Sequence, residues 1–90
     1  MSVKRTSGPS GASDESPEEL RSLFGANFRR ARLKAKLTQA EVAARTGIQQ
    51  HYISEVENGL WNLTINTMTM LAHAVGTNVR TLLRPPPKRS

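Results

Sequence analysis

The chain has 90 residues, no cysteine and a formal net charge of +6. That length allows one domain at most. Without cysteine there is no disulfide framework and no thiolate metal site. His51 and His73 are far apart and show no ligand spacing, no apolar run approaches a membrane span, and no signal peptide is visible. The expectation is a soluble cytoplasmic protein that needs no metal, cofactor or small-molecule ligand.

The charge is uneven. Residues 1–19 set Lys4 and Arg5 against Asp14, Glu15, Glu18 and Glu19. Residues 20–90 set eleven basic residues against Glu41, Glu55 and Glu57. A body this basic suits a polyanion, or simply carries a solvated charged face.

Residues 1–15 are rich in Ser, Gly, Thr and Pro and are expected to form a disordered arm. The folded part is expected over 16–84, leaving 85–90 as an extended proline-basic tail. Five helices are predicted inside it. Ser16-Pro17-Glu18-Glu19 opens the first: Ser16 caps, Pro17 suits the first helical position and Glu19 completes a capping box. Leu20, Leu23, Phe24, Phe28, Ala31 and Ala35 follow at helical spacing. Thr38 and Glu41 form a second capping box, and the helix they open ends near Gly47. A third helix runs from about Gln50 to Asn58, with Gly59 as its stop. Thr64 caps a fourth, with Ile65, Met68, Leu71, Ala72 and Val75 inward and Gly76 at its end. Asn78 caps a short fifth helix, with Val79, Leu82 and Leu83 inward, until Pro85 forbids more. No strand-like alternation or repeat is present, so the fold class is all-α.

Residues 39–58 carry the most specific signal. Counted from Gln39, small or apolar residues stand at position four (Val42), five (Ala43), nine (Gly47), ten (Ile48), fifteen (Ile53) and eighteen (Val56). Ala43 is small where a second helix crosses. Gly47 stands where the first helix ends and positive φ is needed. The other four face inward and set the angle between the helices. This is the pattern of a helix-turn-helix, whose second helix lies in the DNA major groove.

The stretches Leu37-Thr38-Gln39-Ala40-Glu41-Val42-Ala43, Ile53-Ser54-Glu55-Val56-Glu57-Asn58-Gly59 and Met70-Leu71-Ala72-His73-Ala74-Val75-Gly76 resemble the lambda-repressor-like family of small bacterial and phage regulators, which includes the lambdoid repressors and Cro. The likeness covers about residues 20–84. It implies a five-helix DNA-binding domain with the motif on helices two and three, working on double-stranded DNA at the bacterial nucleoid. Two departures stand out. The loop after helix three reads Leu60-Trp61-Asn62-Leu63 where the family commonly has basic residues and a proline, and Arg80 and Thr81 stand where it often has acids.

The leading turn of the third helix nominates Gln49, Gln50 and His51, with Ser54 and Glu55 one turn on, as contacts to base edges. Gln can grip adenine, Glu can accept from cytosine N4, and His can donate to guanine. Glu55 could instead neutralise an Arg. The resemblance favours Gln50, His51 and Glu55. It implies that Gln39 donates to phosphate and braces the Gln at the start of helix three, that Asn58 and Gly59 lie at a phosphate contact or act purely as a C-cap, and that Arg32 pairs with Glu57. Lys36 and Arg45 flank helix two and are candidate phosphate contacts. Arg29, Arg30 and Lys34 join them as non-specific charge. Tyr52 either packs or donates its hydroxyl to phosphate. Trp61 reads as satellite core or as part of an exposed patch, which suggests a homodimer through helices four and five and the Trp61 loop. Lys4 and Arg5 could act as an arm round the duplex.

The reading is a sequence-specific transcriptional regulator. The alternatives are an antitoxin or restriction-modification controller, or a protein-interaction module on the same fold. No nucleophile–base pair, paired carboxylates or phosphate loop suggests an enzyme.

Overall fold

The computed structural model describes residues 15–60 and 62–85. The arm with Lys4 and Arg5, Trp61, and the tail beyond Pro85 lie outside the described residues. Among those described, all regular structure is helical: α1 (Pro17–Lys34), α2 (Gln39–Thr46), α3 (Gln50–Glu57), α4 (Ile65–Ala74) and α5 (Val79–Leu82).

The helices begin where side chains satisfy their first amides. Ser16 accepts from the Glu19 amide, Thr38 from Glu41, Thr64 from Thr67 and Asn78 from Thr81. At Thr38 both halves of the capping box form, because the Glu41 carboxylate accepts from the Thr38 amide at 2.8 Å. At Ser16 only the serine half forms.

Three helices end alike. In α1, α3 and α4 the last turn closes with paired bonds, such as the Leu60 amide to Glu55 and the Gly59 amide to Val56. This closure requires a left-handed residue. Gly59 and Gly76 supply it at φ 71° and 84°. At the end of α1 the residue in that conformation is Lys36, at φ 63°. A side chain costs about 1–2 kcal/mol there, partly offset by the stiffer unfolded chain. Lys36→Gly is therefore expected to raise stability by about 0.5–1 kcal/mol, read as a higher urea midpoint. An unchanged or lowered midpoint would contradict this account of the turn.

The α1 helix packs on α3 and α5, α2 on α3 and α4, and α4 on α5. Phe24, Phe28, Val42, Ile53, Val56, Leu71 and Ala72 fill the centre with almost no exposure. The Phe24 and Phe28 rings lie nearly parallel, 6.3 Å apart. Ala43 and Ile48 pack against this core, and Gly47 is left-handed at φ 79°.

Four features depart from the sequence pattern. Ala35 is exposed, because α1 stops at Lys34 and Ala35 is its C-cap. Ile65 is 69% exposed: it opens α4 about 70° round from the centre of the buried stripe. Gly25 is buried where α1 meets the α3 backbone, so closely that a Cβ would fall on the Val56 carbonyl oxygen. Asn27 is buried too, and donates to the carbonyls of Leu82 and Arg84 at 2.7 and 2.9 Å. It thereby clips the C-terminal end of α5 onto α1. A glycine inside a good helix and a polar residue on its apolar stripe were the available signals.

Candidate nucleic-acid interface

The α3 helix begins with backbone extended at Gln49 and no side chain capping it. Gln49, Gln50 and His51 are all exposed. Ile53 and Val56 hold α3 to the core. At 100° per residue, His51, Ser54 and Glu55 lie opposite that buried side and Gln50 lies on its flank. His51, Ser54 and Glu55 thus share the outward side of α3, with Ser54 and Glu55 half-buried, Gln50 at its edge and Gln49 exposed just before the helix. The His51 ring sits 4.1 Å from that of half-buried Tyr52, which limits where the imidazole can point. Among the described residues no cation pairs with Glu55, so the alternative in which it neutralises an Arg is not what forms.

What holds this surface in place is a buried carboxylate. The Glu57 side chain is only 4% exposed. Arg32 donates to both of its oxygens, at 2.5 and 3.0 Å, and to the Leu37 carbonyl at 2.8 Å. The amide of Gln39 donates to Glu57 at 3.1 Å, and Arg29 lies 3.8 Å away. The Arg32 guanidinium is held above its ordinary range, first by its hydrogen bond to Glu57; burial opposes this and the charge of Glu57 adds to it. A raised cation contributes its stability at every pH below its unfolded value and loses it only above the folded one. Both lie beyond working pH, so the pair is not a pH switch on the Arg32 side.

This carboxylate joins α1, α2 and α3 at one point. It also changes the expectation for Gln39, whose amide braces Glu57 at the end of α3 where the start of α3 was expected. Gln39 remains half-exposed at the first turn of α2.

The flanking residues sort by what they touch. Lys36 is exposed in the turn before α2. Arg45 donates to the Ala74 carbonyl at 3.3 Å, at the other end of α2 from Gln39. That bond ties α2 to the last turn of α4 and weakens its case as a phosphate contact. The Asn58 amide donates to the Ser54 carbonyl at 2.9 Å, which favours C-capping over phosphate.

An exposed polar helix start, presented by a short helix across a tight left-handed turn, defines a helix-turn-helix domain. The chain belongs to the helix-turn-helix domain family, whose model matches residues 23–84, and with it to the small DNA-binding transcriptional regulators. It is 43% identical over 67 residues to the HTH-type transcriptional regulator y4dJ of Sinorhizobium fredii, covering 74% of this chain and 87% of that one. Its fold is similar to the transcription factor NHTF from Neisseria, with a TM-score of 0.72, 30% identity, and coverage of 80% and 83% of the two chains. It is also similar to the restriction-modification controller C.Esp1396I, solved as a tetramer on its natural 35 base-pair operator. There the TM-score is 0.65 and the identity 25%, covering 76% of this chain and 87% of that one. No helix among the described residues is long and apolar enough to cross a membrane.

Proposed function

We propose that this regulator recognises an operator by laying α3 in the major groove, with Gln49, Gln50, His51, Ser54 and Glu55 facing base edges. The observation that supports this best is the uncapped, exposed start of α3, a helix whose last turn is anchored by the Glu57 cluster. A rigid support matters, because a contact to a base edge depends on its geometry. Gln39, Lys36, Arg45, Tyr52 and Asn58 are the proposed phosphate-contacting set; Gln39, Arg45 and Asn58 each also hold a contact inside the protein.

Gln50→Ala is expected to lose preference for the operator by about 1–3 kcal/mol while non-specific binding stays almost intact. The operator would come from selection among random duplexes, and the comparison from competition binding. A variant that binds every duplex as the parent does would show that another surface reads the bases. With about six phosphate contacts, log affinity should fall against log salt with a slope near −5.

A second copy is the proposed partner, since operators read by such domains are commonly palindromic. Leu60 and Ile65, 73% and 69% exposed, bracket the loop between α3 and α4 and leave apolar surface unburied. Sedimentation across a dilution series should show a monomer–dimer equilibrium that shifts to monomer in Ile65→Lys. Monomer alone at tens of micromolar would remove the dimer.

The likeness to C.Esp1396I favours one narrower reading, a restriction-modification controller. A selected operator lying ahead of restriction and modification genes would support it, and one elsewhere would not.

A further inference from the structure

A groove of about 550 Å³ opens between the second half of α1, the turn joining α4 to α5, and the C-terminal end of α5. Its floor is apolar, with Ala31, Val75 and Leu82, and its rim carries Arg30, Lys34 and Arg84. No carboxylate lines it. We infer that this groove binds a small organic anion with an apolar body, such as an aromatic carboxylate.

Arg21, Arg29 and Arg32 each have a glutamate nearby. Among the described residues no carboxylate pairs with Arg30, Lys34 or Arg84. Three cations around one apolar hollow repel one another and favour an anion between them. The wall is also prepared. Arg30 donates to the Asn27 side-chain oxygen while the Asn27 amide holds the Leu82 and Arg84 carbonyls. The volume falls in the range of small-molecule sites, roughly 300–1,000 Å³.

Other occupants fit less well. On α1 the groove residues Asn27, Arg30 and Lys34 lie roughly 180° round from Gly25 and Arg32, which face α3. A duplex read by α3 therefore meets the other side of α1. The chain beyond Pro85 carries Lys88 and Arg89, and residues 1–14 carry Lys4 and Arg5 against Asp14. Each of these stretches is net positive and matches the sign of the groove. The acidic Glu15, Glu18 and Glu19 stand at the far end of α1, about 20 Å away along its axis.

The test is a nitrogen–proton correlation titration of the full chain with naphthoate, alongside its neutral counterpart naphthalenemethanol. Naphthoate should shift Ala31, Ala35, Val75–Thr77 and Thr81–Arg84 to saturation, and bind at least about tenfold more tightly than the alcohol. The double variant Lys34→Gln, Arg84→Gln removes two exposed charges and should lose that advantage. Absence of saturable shifts at millimolar naphthoate, equal binding of the alcohol, or shifts centred on α3 would each overturn the inference. DNA binding is not a readout here, so failure would leave the reading of α3 untouched.

Discussion

Gly25→Ala should destabilise the domain by about 3 kcal/mol or more, at or above the upper end of ordinary overpacking. The new Cβ would lie 2.0 Å from the Val56 carbonyl oxygen and 3.1 and 3.2 Å from the carbonyl carbons of Val56 and Glu57. All three neighbours are backbone, so no rotamer change relieves the clash. The two helices must move apart, which loosens Phe24, Phe28, Ile53 and Val56 together. Helix propensity alone predicts the opposite sign, since Ala is better than Gly inside a helix by about 1 kcal/mol. Urea unfolding of the variant decides between them. Stability equal to the parent or higher would mean that α1 and α3 do not approach this closely. Gly47→Ala is the companion measurement. Nothing lies within 4 Å of its Cβ, so its cost is only the backbone strain of about 1–2 kcal/mol.

Arg32→Ala should cost about 3–5 kcal/mol, because it strands a buried carboxylate. Glu57 would keep the Gln39 amide and Arg29 3.8 Å away, neither of which replaces a two-pronged guanidinium. For an ordered region of about 70 residues, total stability is on the order of 4–10 kcal/mol, so the variant should sit near the edge of folding. The double variant Arg32→Met, Glu57→Leu tests the cause. With no charge left to strand, it should recover much of the loss, although α2 then loses the Gln39 tether. Two outcomes would refute the role given to Glu57: a single-variant loss below about 1 kcal/mol, or a double variant no better than the single.

The cluster also connects stability to recognition. Gln39 at the start of α2 and the last turn of α3 meet on one carboxylate that α1 holds in place. The surface proposed to meet bases is thus positioned by a cluster that is not itself part of that surface. Variants of Arg32 that still fold should lose operator preference as well as stability.

Much of the fold was legible in the amino-acid order. Ser16, Thr38, Thr64 and Asn78 start helices because a short oxygen-bearing side chain reaches an amide three residues on. Gly47, Gly59 and Gly76 stop or turn them because each takes a positive φ. Those are forces within one turn of chain, and the apolar spacing from Val42 to Val56 carries the crossing of α2 and α3 with it. The outward residues of α3 follow from the same spacing by subtraction. Tertiary packing alone decided the rest, because it brings together residues that no local rule relates. Gly25 is needed because of a carbonyl 31 positions away, Asn27 because α5 ends beside it, and Gln39 turns to Glu57 because Arg32 has placed that carboxylate between the helices. Arg45 finds the end of α4, Ile65 falls off the buried stripe, and three separated cations come to ring one hollow. Spacing along a helix tells which side faces in; what waits there is known only once the helices have met.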